Sequence, residues 1–474
     1  MGSISANGYG RRSFLAGAAT TGLLMVAPRW LFADAQQGSP IRVVVTSEKE
    51  KHAESPALTW TKSASRKTSD IIAVDASQRY QPILGFGSAL TDASCFLLSK
   101  MDGPARQKFL SETYSPQHMG LNFGRCAIGS SDYSRSVFNY DDVAGDVDMK
   151  HFSIAHDEEY LLPMMREIRS VNPDLFLLAS PWSPPGWMKT YGSMLGGWMS
   201  AEYLAPYALY IARFIEAYGK AGVKVDAITS QNEVETDQSG RMPAAYWTPE
   251  MEQVFVRDHL GPLLKKEKID TQIWLLDHNY NLWKRVKWQL QDERLRQYVS
   301  GVAWHGYLGT PDMMSRLHEL YPDMPFYWTE GGPDITDPNY ANDWATWGNT
   351  FTTVLQNWCR GIITWNLMLD EHGQPNIGPF PCGGLVTLRK NGQITESGQY
   401  WALRHFSQHV RRNAVRVATH SDASELMHVA MVNPNGETVM VLTNTGEART
   451  VTLMSGENSA DVSLPSNSLT TLTW

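Results

Sequence analysis

The sequence predicts an α/β protein, a (β/α)8 TIM barrel with an appended all-β sandwich domain. Three observations carry this. Between residues 83 and 410, short apolar β-type runs alternate eight times with helical patterns. After Val410 the helical period stops, and short strands separated by Asn, Gly, Glu and Ser turns take over. Two runs of the alternating part, Val225–Thr229 and Phe326–Thr329, lead into acids at their C-terminal ends, Asn232-Glu233 and Glu330. A barrel carries its functional groups at those ends.

In chain order, residues 1–35 read as a targeting segment. Arg11-Arg12-Ser13-Phe14-Leu15 is a twin-arginine pattern, Leu15–Ala27 is modestly apolar, and Ala33-Asp34-Ala35 has the form of a cleavage site. The order of the three predicts export by the twin-arginine route to a periplasmic or extracellular destination. Residues 36–80 are polar around two short strands, Ile41–Val45 and Ile71–Val74, which are assigned to the sandwich. The barrel is assigned to 81–410. Its first strand is Ile83-Leu84 with a tight turn at Gly85-Phe86-Gly87, followed by a helix opening at Thr91-Asp92. Strands follow at Leu121–Ile128, Leu175–Ala179, Val225–Thr229, Ile273–Leu276, Val302–Trp304, Phe326–Thr329 and Ile362–Asn366. Helices are expected at 157–171, 202–218, from Thr248-Pro249-Glu250 (an N-cap with Pro at the first helical position), at 340–359 and at 400–410. The C-terminal sandwich, 411–474, is expected to use Val415–Thr419, Leu426–Val432, Thr438–Thr443, Arg449–Met454 and Ser468–Trp474.

Composition excludes some partners. A net charge of −8 argues against nucleic acid and against an anionic membrane surface. No later apolar run is long enough to span a bilayer. Four cysteines without C-x-x-C spacing indicate neither a zinc site nor a redox pair, and read as buried small hydrophobes.

The strand ends collect polar groups of one kind. They are Arg125 and Asp132 after strand two, Trp182 after three, Asn232 and Glu233 after four, and His278 after five. His305 and Tyr307 follow strand six, Glu330 strand seven, and Trp365 and Asn366 strand eight. Two facing carboxylates are the minimum for cutting a glycosidic bond. Indole faces stack on sugar C–H faces, while Asp, Asn, His and Arg bond hydroxyls. Each residue also has an ordinary reading: a strand-end Glu caps a helix, and His278 is a satisfied structural histidine. Asp277, His278, His305 and the Asp370-Glu371-His372 run are metal-type side chains, but no H-x-H or H-E-x-x-H spacing appears, so neither metal nor cofactor is expected.

At these residues the chain resembles glycoside hydrolase family 30, the glucosylceramidases and β-1,6-glucanases. The resemblance lies in Gly85–Asp92, Ser180–Lys189, Asn232-Glu233, Trp304–Tyr307, Thr329-Glu330, Trp365–Leu367 and Gly373–Phe380. It implies a retaining mechanism with Glu233 as acid/base and Glu330 as nucleophile. It implies that Asp132 and Trp182 bind distal hydroxyls of a glucose-like unit, Arg125 supports the nucleophile, Asn232 contacts the 2-hydroxyl, His305 and Tyr307 line the −1 site, and Trp365 is its stacking floor. Val234 stands where many relatives have Pro, and the loop 191–200 is rich in Gly and Met. These departures bear on the aglycone. The substrate expected is a β-glucoside or β-glucan, with glucosylceramidase-like or β-glucosidase action. The rivals are an endo-β-1,6-glucanase and a non-catalytic carbohydrate-binding barrel.

Overall fold

The structure, a computed structural model, describes residues 40–62 and 70–474. The twin-arginine leader lies outside the described residues. Eight parallel strands close into a barrel: Gly85–Ala89, Phe123–Ile128, Phe176–Pro181, Ala227–Thr229, Gln272–Asn279, Val299–His305, Phe326–Glu330 and Cys359–Thr364. Strands of this kind are covered on both faces, which is why they read as near-continuous apolar runs. Phe123, Leu178, Ala227, Trp274, Ala303, Tyr327 and Ile363 fill the lumen. The rings of Trp274 and Tyr327 stack at 3.8 Å. With the interior packed, usable space remains at the C-terminal mouth.

The expected turn at Gly85–Gly87 is instead the opening of barrel strand one. A Cβ on Gly87 would stand 1.5 Å from the Phe123 carbonyl oxygen, and one on Gly85 2.1 Å from Asn122 Oδ1. The glycines let strand two approach; they do not turn the chain. Other boundaries move by a few residues. Strand four pairs only from Ala227, and the helix expected from 157 starts at Leu161. Asp157 is instead buried, where it accepts the hydroxyls of Tyr140 and Tyr218. Helices Gly103–Tyr114 and Asp312–Leu320 were not among the expected elements.

The sandwich is one ten-stranded hydrogen-bonded order folded over itself. Strands from before and after the barrel share it. Pro40–Thr46 pairs antiparallel with Ser468–Thr473, and Ile71–Pro82 with Val415–Ser421. Ile41, Val43, Ile72, Val417, Met440, Leu442, Leu453 and Leu472 share its core. Three further strands, Ala53–Thr59, Thr61–Lys62 and Asn458–Leu464, were not expected. The first carries Pro56 and sits at the sheet edge, where a missing N–H is tolerated. Thr438–Asn444 is buried on both faces: Met440 and Leu442 point into the sandwich, Val439 and Val441 into the barrel-side core. Helices Trp344–Gln356 and Gly398–Ser407 fill the space between the two bodies. His405, at 0% exposure, bonds Thr46 and Thr471 through its two ring nitrogens. No helix among the described residues is long and apolar enough to cross a membrane.

His405 also stands against His52, with ring centroids 4.9 Å apart, and His52 stacks on His409 at 5.5 Å. Burial, then neighbouring positive groups, lowers His52 to about 3 and His409 to about 4. The folded state holds these rings neutral while the unfolded chain protonates near 6.5. Their stabilisation is therefore complete above about pH 6.5 and is lost as pH falls toward 3–4, at roughly 2 kcal/mol for each ring at pH 5. The expected result is a lower urea midpoint at pH 5 than at pH 7.5. The difference should shrink in His52→Asn. An unchanged difference in that variant would remove His52 from the explanation.

Candidate active site

The mouth of the barrel holds a cavity of about 690 Å³. Asp132, Trp182, Asn232, Glu233, Tyr307, Glu330 and Trp365 all line it. Glu330 is the last residue of barrel strand seven. Glu233 follows strand four in a left-handed conformation, φ 55°, with its N–H donating to the Asp277 carbonyl at 2.9 Å. Asn232 is fixed by its N–H to the Pro181 carbonyl at 2.7 Å. Trp182 and Trp365 stack on each other at 5.2 Å, and Tyr133 meets Trp365 edge-on. Asp132 has one carboxylate oxygen without a hydrogen-bond partner in the protein. Such a buried acceptor suits a sugar hydroxyl.

Two of the nine sequence-derived residues do not line the cavity. Arg125 and His305 have no exposed surface and stand behind the carboxylates; Arg125 serves Glu330 rather than the sugar, and the expectation that His305 lines the −1 site is corrected. Arg125 Nη1 donates to Glu330 at 2.5 Å, and its Nη2 donates to Asn232 at 2.6 Å and Asp277 at 2.7 Å. The guanidinium also lies 4.6 Å from the Trp182 ring centroid. His305 bonds Asp277 Oδ1 through Nε2 at 3.0 Å. Its Nδ1 is 3.6 Å from Glu233 Oε1 and 3.9 Å from Glu330 Oε1. Both carboxylates thus approach one nitrogen, which caps the separation of those oxygens at 7.5 Å.

Residues 83–410 match the Glycosyl hydrolase family 30 TIM-barrel domain, and residues 413–472 match the Glycosyl hydrolase family 30 beta sandwich domain. The chain belongs to glycosyl hydrolase family 30. It is 30% identical over 427 residues to an endo-1,6-β-D-glucanase of Aspergillus fumigatus, covering 84% of this chain and 86% of that one. It is 26% identical over 398 residues to the lysosomal acid glucosylceramidase of Mus musculus, covering 79% and 77%. Among solved structures, an endo-β-1,6-glucanase superposes with a TM-score of 0.84 at 27% identity, covering 92% of this chain and all of that one. The SrfJ protein of Salmonella typhimurium superposes at 0.88, also at 27% identity, covering 92% and 99%. The chain is therefore a glycoside hydrolase, and its cavity is the place to look for O-glycosyl chemistry.

Three residues of this family 30 site were not picked out as site residues. Asp277 accepts from Arg125, His305, Thr229 and Thr329. His278, read as structural, lines the cavity, with Nδ1 3.8 Å from Glu233 Oε1. Gln238 donates to Glu233 Oε2 at 2.5 Å. Asp277 and His278 were visible at the end of strand five, but Gln238 lies in a turn that carries no periodic signal.

Burial and charge set the protonation. Burial alone would raise Asp277; the Arg125 guanidinium outweighs it, with His305 and Thr329 adding, and the carboxyl stays far below its usual range. Burial would lower His305, but the Glu330 charge and the Asp277 and Glu233 contacts raise it to about 9. Burial, then the charges of Glu330 and Glu233, pushes Asp132 well up. Glu233 and Glu330 titrate as a pair. Burial opposes charge on both. Against burial, His305, His278 and Gln238 lower Glu233, whereas Glu330 is raised because burial, with the Glu233 charge added, outweighs His305 and Arg125.

Proposed function

We propose that this protein is a retaining β-glycosidase acting on β-linked glucosides, in the manner of a glucosylceramidase or β-glucosidase. The observation that carries the reading is the pair Glu233 and Glu330, which both approach His305 Nδ1 within 4 Å, with Arg125 behind Glu330. Retaining enzymes hold their carboxyl groups about 5–5.5 Å apart and inverting ones roughly 6.5–9.5 Å. The 7.5 Å cap removes the upper part of the inverting range.

Glu330 is the nucleophile. Arg125 and Tyr307 donate to its two oxygens at 2.5 and 3.1 Å and hold it ionised in the complex. Glu233 is the acid and then the base. Entry of a sugar favours the proton on Glu233. A glycosidic oxygen is an acceptor only. When it replaces the Gln238 amide beside Glu233, the contact forms only with a protonated carboxyl. Glu330 then attacks the anomeric carbon while Glu233 protonates the leaving oxygen. Glu233 next takes a proton from the water that hydrolyses the glycosyl-enzyme. Asp132 and Trp182 suit a hexose with its C6 hydroxyl, Asn232 the 2-hydroxyl, and Trp365 the sugar face.

A second reading, an endo-β-1,6-glucanase, is favoured by the rim. Tyr307, Leu308 and Phe380 line the cavity yet are 44, 60 and 39% exposed, an apolar ledge open to a longer chain. One panel separates the readings: aryl β-glucoside, aryl β-xyloside, glucosylceramide and β-1,6-glucan, with product sizes and the anomer first released followed by proton NMR. The expected result is β-glucose from short β-glucosides or glucosylceramide. Oligomers from the glucan with little action on aryl glucosides would select the second reading. An α-anomer as first product would sink the retaining mechanism. We further propose export through the twin-arginine route, on the order of the leader features in 1–35. Replacing Arg11 and Arg12 by Lys should leave the chain uncleaved in the cytoplasm.

A further inference from the structure

Glu233, His278 and His305 meet at the ends of three barrel strands, and each turns one donor atom toward the others. One ligand atom from each of Glu233, His278 and His305 lies within 4.8 Å of those of the other two, and Glu233 Oε1 faces Nδ1 of both histidines. The oxygen is 3.8 Å from the first nitrogen and 3.6 Å from the second. Neither nitrogen has a hydrogen-bond partner in the protein, although the residues are only 9 and 0% exposed. Two orphaned imidazole nitrogens aimed at one carboxylate oxygen are costly unless something sits among them.

The geometry suits a tetrahedral ion. Zinc bonds of about 2.0–2.2 Å set ligand atoms about 3.4 Å apart. Two of the three edges need to shorten by only a few tenths of an ångström. His305 is braced by Asp277 at its other nitrogen, the carboxylate–imidazole arrangement that orients metal-binding histidines. Two imidazoles and one carboxylate favour zinc or copper over calcium or magnesium, which take oxygen ligands. Three protein ligands leave a fourth position facing the cavity. No spaced motif marks these ligands along the chain, because they come from the ends of three different strands.

We propose that Glu233, His278 and His305 form a reversible site for a divalent transition ion of the zinc type, and that an ion there switches the glycosidase off. The ion takes the Glu233 oxygen lone pair that would otherwise carry the proton, and its binding releases to solvent the proton that His305 otherwise holds. The inhibitory half rests on the acid/base reading of Glu233; the binding half does not.

The test uses tag-free, chelator-stripped full chain. Zinc is titrated by calorimetry and by activity, and cobalt(II) by visible absorption. The expected result is one zinc per chain, loss of more than about nine-tenths of turnover at saturation, recovery with EDTA, and intense tetrahedral cobalt bands. His278→Ala should weaken zinc binding at least about tenfold. No stoichiometric binding, or an affinity unmoved by His278→Ala, overturns the site and leaves a bridging water as the occupant. Should His278→Ala not fold, the isosteric Glu233→Gln decides the matter: weakened cobalt bands support the site, and unchanged bands overturn it. One bound zinc with full turnover supports the ion site and instead overturns the acid role of Glu233.

Discussion

Glu330→Gln is expected to lose about 10⁴–10⁶ in kcat on every glycoside, with the fold intact. The replacement keeps the shape and removes the nucleophilic oxygen. Its carbonyl still accepts one of the two donors that serve Glu330, Arg125 Nη1 or the Tyr307 hydroxyl. The amide end then meets the other donor, a local cost, but no cavity opens. The companion variant separates the two carboxylates by role. In Glu233→Gln the nucleophile remains, so an activated aryl leaving group still departs and a glycosyl-enzyme builds up. An alkyl or sugar leaving group, which needs the proton, loses roughly 10²–10⁴. The measurements are steady-state rates on aryl and alkyl β-glucosides, with mass spectrometry for the trapped intermediate. Glu330→Gln within tenfold of wild type would remove it as nucleophile. Equal losses on aryl and alkyl substrates in Glu233→Gln would remove the acid role.

Both glutamates could be read in the sequence because a barrel strand is short, apolar and abruptly ended, so the first polar residues beyond it mark the mouth. What could not be read is which side chains reach the cavity and which stand behind it. Arg125 lies inside barrel strand two, at a position no different in pattern from its neighbours, yet it is the cation that serves Glu330, Asn232 and Asp277 together. Asp277 and His278 stand in plain view at the end of strand five, but that both serve one site does not follow from the pattern. Adjacent residues of a regular strand point to opposite faces. Here the register slips between Ala303 and Trp304, with Leu276 and His278 as their partners, so Asp277 is an extra residue with φ 47°. The bulge brings both side chains to one site. The sandwich was legible in its apolar strands. Its interleaving with segments before the barrel rests on pairings hundreds of residues apart, which local pattern does not contain.

Asp277→Asn should damage activity and stability together, and the pH dependence shows why the cause is charge. The carboxylate accepts from Arg125 Nη2 and Thr229 through Oδ2, and from Thr329 and His305 Nε2 through Oδ1. An amide keeps one acceptor and turns an N–H toward at least one of those donors. Arg125 is then buried with Glu330 as its remaining ion-pair partner. Breaking a buried pair in this way costs about 3–5 kcal/mol. The guanidinium is also free to draw Glu330 back from the anomeric carbon, and a displacement of that kind costs roughly 10² in kcat. His305 provides the diagnostic. Its folded pKa is raised to about 9 against 6.5 unfolded, so it stabilises the protein fully below pH 6.5 and loses that contribution as pH rises through 9. Asp277 supplies part of that rise, with Glu330 and Glu233 supplying the rest. Wild type should therefore lose stability between pH 6.5 and 9, and Asp277→Asn should lose less over the same window while starting lower. Urea midpoints at pH 6.5 and 9, read beside kcat and KM, test this. A variant as steep as wild type across that window, or one with kcat within threefold of wild type, would mean that Asp277 only fills space behind the carboxylates.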